Sequence, residues 1–297
     1  MRPYKTFSLP LAKIAQISGA LASSLSDMTD IAITGISHSD VQIQPGDLFV
    51  AVSGAKHHGA KFSENAKAKG AVAALTDAEG AKMISGIPVL IVNNPRAIAG
   101  EIAALLYNDP MRELGSIAIT GTNGKTTVTT LLYQIMTAAN RECGLIGTIE
   151  TRVGNEIITS ERTTPEATEL QAMAAVMKER HIRHLVMEAS SHAMTMHRIA
   201  GAHFAIVGFT NLTQDHLDFH GDMESYFAAK ASLFKFTFAD LACINVDDIY
   251  GARLAASVEI PVITLSRKDK TAEWHFVVIN NFTGGTDLKI RGKGGIM

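Results

Sequence analysis

"SIAITGTNGKTTVTT", residues 116–130, sets an apolar run directly before a Gly-containing turn and a threonine-rich segment of helical character. A strand that enters such a turn and leaves as a helix exposes unpaired backbone N–H groups, where the helix dipole adds roughly half a positive charge. Phosphate is the natural occupant of that position. In this arrangement Lys125 reaches the terminal phosphates, and Thr126 offers a hydroxyl where a phosphate-bound magnesium needs one. The spelling is unusual, however. The common loop places a glycine about five positions before its Gly-Lys pair. Here position 119 is Ile, and the earlier loop glycine is Gly121, three positions before Gly124. The alternative is a plain turn shaped by two glycines with Lys125 exposed, but a lysine in the first helical turn opposes the dipole.

Outward from this stretch the chain alternates. "HLVMEAS" (184–190), "FAIVGFT" (204–210) and "LACINV" (241–246) are apolar runs with helical segments between them, which predicts a mostly parallel sheet flanked by helices. Ligands on such sheets bind at the C-terminal ends of the strands. Upstream, "DLFVAV" (47–52), "AVAAL" (71–75) and "PVLIVN" (88–93) alternate with helical stretches at 61–69 and 96–107, which predicts a smaller α/β unit. "YNDPMRELG" (107–115) reads as the linker, giving domains at 1–110 and 111–297. The tail "EWHFVVINNFTGGTDLKIRGKGGIM" reads as a hairpin.

A chain of 297 residues with 46% hydrophobic content suits two globular domains. Its net charge of -2 gives no basic excess to recruit nucleic acid or an anionic membrane. Without an apolar leader or a run of about 18 apolar residues, the expected location is the cytoplasm, and the expected state is a monomer. Cys143 and Cys243 have no metal-ligand or redox spacing and are expected as buried free thiols.

Polar residues gather after the later strands. Glu188 ends one apolar run and suits magnesium, a hard cation, or else caps the next helix. Asn211, Asp215, His216, Asp218 and His220 crowd the loop after another, fit for metal binding or proton transfer; several can instead be loop and cap residues, with Asp222 a candidate N-cap. Asn245, after a third run, can pair with a purine edge or simply form a turn.

Taken in order, "TGTNGKTT", "TTPE", "MEASSH", "HR", "TNLTQDHLDFHG", "YFAAKASLF" and "NVDD" resemble the Mur ligases, the ATP-dependent ligases that build the peptidoglycan stem peptide. The shorter phosphate loop is that family's own variant. Residues 35–60, "ERTTPEATELQ" and "HGDMESY" most resemble its tripeptide-synthetase branch. Folylpolyglutamate synthases share the loop logic but leave the N-terminal segment unexplained.

The resemblance implies that Gly121, Thr122, Asn123, Gly124, Lys125, Thr126 and Thr127 cradle ATP, with Asn245 at the adenine. It implies magnesium held by Thr126, Glu188, His216 and a carbamylated Lys230, and a catalytic set of Lys125, Glu188, His216 and Lys230. Arg162, Thr163, Thr164, Ser190 and Arg198 match positions that hold the muramoyl dipeptide. His38, Asp40, Ala55, Lys56 and His57 match uridine diphosphate contacts. The implied partners are UDP-N-acetylmuramoyl-L-alanyl-D-glutamate and a diamino acid, meso-diaminopimelate or L-lysine. Family members carry a third domain that grips the incoming amino acid. Its absence from this sequence raises the alternative of a truncated chain that binds nucleotide without ligating.

Overall fold

The computed structural model describes residues 1–5, 7–22, 28, 30–54, 56–160, 162–292 and 295–296. Its first unit runs β1 (Leu9–Pro10), α1 (Leu11–Ser18), β2 (Leu21–Ala22), β3 (Ala32–Ile33), β4 (Gly35–Ser37), β5 (Asp47–Val50), α2 (Ser63–Ala68), β6 (Ala71–Thr76), α3 (Ala78–Ala81), β7 (Val89–Ile91) and α4 (Pro95–Leu106). Strands β4, β5, β6 and β7 are parallel, and β2 joins the β7 edge antiparallel. The β5 and β6 side chains are buried nearly throughout, as expected of strands covered on both faces. Helix α4 begins where its sequence dictates. The Asn94 side chain accepts from the Ala97 amide at 3.2 Å, and Pro95 fills the first helical position.

The stretch read as a linker is packed. Asn108 and Asp109 take φ of 58° and 46°, and Pro110 then opens α5 (Pro110–Glu113), which buries Met111 in the core of the second unit. That unit continues with β8 (Gly115–Thr120), α6 (Lys125–Ala138), β9 (Cys143–Ile146), β10 (Glu150–Val153), β11 (Glu156–Thr159), α7 (Ala167–Glu179) and β12 (His184–Glu188). After these come α8 (Ser191–Thr195), β13 (Phe204–Phe209), α9 (Leu217–His220), α10 (Met223–Ala231), β14 (Ala239–Asn245), α11 (Ile249–Ser257) and β15 (Val262–Ser266). The chain ends in β16 (Trp274–Phe282), β17 (Gly285–Gly292) and β18 (Gly295–Ile296).

Among the described residues the second sheet has the order β11-β10-β9-β12-β8-β13-β14-β15-β16-β17-β18. It is parallel from β9 through β16. Antiparallel strands extend both edges: the β10–β11 hairpin, which the sequence reading did not anticipate, and the β16–β17 hairpin, which it did. Strand β8 lies between β12 on one side and β13 on the other, so the strand order reverses at its carboxyl end. That end opens the crevice in which such sheets bind ligands. Leu185, Phe204 and Val207 are among the side chains that fill the core beneath it.

Both cysteines are free, but Cys243 is only partly buried, which corrects the expectation for that thiol. Among the described residues no helix is long and apolar enough to cross a membrane.

The two units meet where α4 packs on α7. There Gly100 faces the backbone of Ala200 and Gly201, and a Cβ on Gly100 would overlap the Ala200 carbonyl oxygen. Gln171 Nε2 closes the contact by donating to the Gly201 carbonyl at 2.8 Å. Gly100→Ala is therefore expected to cost about 1–3 kcal/mol, the usual range for overpacking. Urea unfolding of the variant against the wild type measures it, and an unchanged midpoint would refute the close contact.

Candidate functional site

Strand β8 delivers the chain to Gly121, whose φ of 145° and tight surroundings admit no side chain; a Cβ there would overlap Thr210 Oγ1. The loop is then fixed by residues at the end of β13. The Asn211 side chain accepts from the Asn123 amide at 3.0 Å and donates to the Asn123 carbonyl at 3.0 Å, while the Asn211 carbonyl accepts from the Thr122 amide at 2.9 Å. Thr122 Oγ1 lies 3.2 Å from the Tyr226 hydroxyl, which ties the loop to α10. Gly124 caps α6, and the first bond from that cap runs from the Val128 amide to the Gly124 carbonyl at 2.9 Å. Amides ahead of Val128 lack partners within the helix and face the opening.

Two lysines converge on this loop. Lys125 Nζ donates to the Gly121 and Thr122 carbonyls at 2.9 Å each, and Lys230 Nζ donates to the Gly121 carbonyl at 2.8 Å. Burial pulls the Lys125 pKa below its ordinary value, with Glu188 and Asp215 acting the other way. Lys230 is 1% exposed. Burial, then the Lys125 charge, lowers its pKa from 10.5 to about 7, against the pull of Asp215.

Glu188, also 1% exposed, ends β12 directly opposite. Its carboxylate accepts from Thr126 Oγ1 at 3.0 Å, from the Thr148 amide at 2.8 Å and from Thr148 Oγ1 at 3.1 Å. Its carbonyl accepts from Thr164 Oγ1 at 2.9 Å, and the Ser190 amide donates to that same hydroxyl at 3.2 Å. Ser190, not Glu188, caps the next helix, accepting from the Ala193 amide at 3.2 Å.

These groups surround a cavity of about 560 Å³. Of the expected residues it gathers Thr122 to Thr127, Thr163, Thr164, Glu188, Ser190, Arg198 and His216. Other expected residues lie elsewhere. Lys230 sits under the loop, and the Asn245 amide is engaged by the Thr210 carbonyl and the Asp247 amide. Arg162 lines a smaller neighbouring cavity. His38 bonds through Nδ1 to Thr168 Oγ1 at 3.0 Å, and Asp40 accepts from Asn65. Lys56 and His57 are exposed in the first unit, and Ala55 lies outside the described residues.

The crowded loop after β13 divides its labour. Asn211 holds the phosphate loop, Asp222 caps α10 by accepting from the Ser225 amide at 2.7 Å, and His220 Nε2 bonds Ser191 Oγ at 2.9 Å. His216 stands half-exposed with its ring edge-on to His192 at 4.8 Å. Among the described residues no three His, Cys, Asp or Glu side chains cluster as metal ligands. Thr126 and Glu188 nevertheless fit magnesium, which prefers oxygen donors, uses one or two carboxylates and takes the rest from phosphate and water.

Sequence reasoning missed Thr148, Tyr226 and Glu166. Thr148 was within reach: it follows the apolar run "CGLIG" (143–147), so the rule of looking past each strand applies to it. Glu166 binds Arg96 Nη1 at 2.6 Å and Arg198 Nε at 3.2 Å, across the two units. Burial opposes its ionisation, but His38 in its protonated form, Arg96 and Arg198 pull its pKa below the ordinary carboxylate value.

Residues 119–296 match the Mur ligase middle domain, and residues 32–118 match the Mur ligase family catalytic domain. The chain belongs to the Mur ligase family. Its similarity to individual Mur ligases spans nearly all of it. It is 46% identical over 276 residues to the UDP-N-acetylmuramoyl-L-alanyl-D-glutamate--2,6-diaminopimelate ligase of Streptomyces avermitilis, covering 92% of this chain and 54% of that protein. It is 38% identical over 298 residues to the UDP-N-acetylmuramyl-tripeptide synthetase of Leifsonia xyli subsp. xyli, covering 99% and 58%. The chain thus spans about half the length of the curated relatives it matches. A solved UDP-N-acetylmuramoyl-L-alanyl-D-glutamate--2,6-diaminopimelate ligase has the same fold, with a TM-score of 0.82 at 24% identity over 99% of this chain and 59% of the other.

The buried lysine gives a pH dependence. Lys230 has a folded pKa of about 7 against an ordinary 10.5, so between these values the unfolded chain binds more protons. The stability it contributes is complete above the unfolded value and is lost as pH falls toward the folded one. In CO2-free buffer, the stability of wild type relative to Lys230→Met should rise from pH ~8 to ~10 by up to about 1.4 kcal/mol per unit. Urea titrations measure it, and a flat difference would contradict the burial of this amine.

Proposed function

We propose that the chain is the nucleotide- and acceptor-holding part of an ATP-dependent ligase that joins a diamino acid to the D-Glu of UDP-N-acetylmuramoyl-L-alanyl-D-glutamate. The observation that carries this reading is a single cavity in which a phosphate loop, the Thr126–Glu188 pair and Arg198 face one another. The names of the Streptomyces avermitilis and Leifsonia xyli relatives support it, and the former makes 2,6-diaminopimelate the first amine to test. In this reading residues 1–110 and 111–297 act as two domains, the first receiving the uridine diphosphate near His38, Asp40, Lys56 and His57.

The loop amides and Lys125 bind the ATP phosphates and stabilise charge as the γ-phosphoryl group moves to the acceptor carboxylate. Thr163, Ser190 and Arg198 orient that carboxylate toward the loop. ADP leaves, the amine attacks the resulting acyl phosphate, and phosphate departs as the amide forms. Magnesium, held by Thr126 and Glu188 with His216 beside them, neutralises phosphate charge when bound. Lys230 is suited to carbamylation, because CO2 adds only to a neutral amine and a pKa of about 7 leaves much of it neutral. The carbamate turns a cation beneath the phosphate loop into an anion.

Phosphate release from ATP should require both the muramoyl dipeptide and a diamino acid, and Lys125→Ala should reduce it by at least about a hundredfold, the scale of losing one group that stabilises the transition state. Measuring release with each component omitted tests both points. Tight dipeptide binding without release identifies a holding unit that does not ligate; release or binding indifferent to the dipeptide overturns the assignment.

A further inference from the structure

Glu166 lies in the "TTPE" stretch at the start of α7, is 8% exposed, and touches neither the phosphate loop nor the cavity. Its two carboxylate oxygens serve two arginines from different units. Oε2 accepts from Arg96 Nη1 at 2.6 Å, on α4 of the first unit; Oε1 accepts from Arg198 Nε at 3.2 Å, on the cavity wall. The backbone around it is also held, since the Glu166 amide donates to Glu169 Oε2 at 3.1 Å. The bond to Arg198 uses Nε, so the two terminal nitrogens of this cavity-lining guanidinium are not committed to Glu166 and form a fork suited to a carboxylate or phosphate. Burial lowers the His38 pKa to about 4, against the pull of Glu166, and the Arg96, Arg162 and Arg198 guanidinium groups all act on it. Three guanidinium groups thus gather around the Glu166 carboxylate.

We propose that Glu166 is a positioning residue that couples the docking of the N-terminal unit, through Arg96, to the orientation of Arg198, so that Arg198 presents its fork to an acidic substrate group only when the two units are seated. The identity of that substrate, the muramoyl dipeptide, rests on the function proposed above; the coupling itself does not. Removing the Glu166 charge frees Arg198 to rotate, while Arg96 alone cannot hold it.

Two readouts separate these ideas. The first is the arginine Nε–H spectrum of the intact chain by NMR, with the Arg198 signal assigned by its loss in Arg198→Lys. Glu166→Gln should shift that signal and speed its exchange with water by at least about tenfold, as expected on losing a charged acceptor. Arg96→Met should leave the bond but broaden the signal. An Arg198 signal unmoved by Glu166→Gln overturns the proposal whatever the substrate is. The second readout is a double-mutant cycle on UDP-N-acetylmuramoyl-L-alanyl-D-glutamate binding by calorimetry. Glu166→Gln should weaken binding roughly tenfold with ATP affinity unchanged, and should have no further effect in an Arg198→Ala background. Additive losses would mean that Glu166 acts on folding alone and would overturn the coupling. Failure of the wild type to bind the dipeptide would overturn the functional reading and leave the NMR result to decide the coupling. If Glu166→Gln does not fold, Arg96→Met replaces it in both arms, with an expected weakening of about threefold that again disappears without Arg198.

Discussion

One carbonyl oxygen, that of Gly121, accepts from the side-chain nitrogens of both Lys125 and Lys230. The rest of the site follows from that convergence. It fixes the direction of the loop, ties α10 to it through Lys230, and concentrates basic groups where burial makes positive charge costly. Asp215 offsets part of the cost for both lysines, and the Tyr226 ring lies 4.6 Å from Lys230 Nζ. An anion at the start of α6 relieves the remainder. Affinity for phosphate is in this sense stored in the folded chain before any nucleotide arrives.

The loop is also shaped in advance. Asn211 pairs with both the amide and the carbonyl of Asn123, in the manner of a neighbouring strand, and Thr122 is held from two directions. A ligand entering the cavity therefore meets donors already aimed, with little reorganisation left to perform. The Glu188 carboxylate is likewise held by Thr126 and Thr148. Together with Thr126 it would hold magnesium, which would neutralise phosphate charge.

Much of this was legible in the sequence because strands buried on both faces announce themselves as apolar runs, and the residues after each run mark the crevice. Gly121 to Thr127, Glu188, Ser190 and His216 were found by that rule or by the motifs it placed. Thr148 escaped only because "CGLIG" is short. Glu166 and Tyr226 were harder, since one acts through arginines distant in the chain and the other sits mid-helix, where a tyrosine reads as core. The edges of the large sheet were missed for another reason. The β10–β11 hairpin is largely exposed on its outer strand and lacks the apolar periodicity that identifies a buried one. The packed stretch at 107–115 shows the converse, since a turn signal reports backbone direction and says nothing about the methionine that follows.

Three of the contacts between the units differ in kind. Gly100 against Gly201 resists compression, Arg96 on Glu166 resists separation, and His38 on Thr168 comes from the end of β4, off the line of α4 that carries the other two. Three points not on one line locate a rigid body completely, as the feet of a tripod do, whereas any two leave an axis to swing about. While all three contacts hold, the separation between the first sheet and the phosphate loop is a set length. A molecule that touches both ends is measured against it as against a ruler, and a longer or shorter one reaches only one mark.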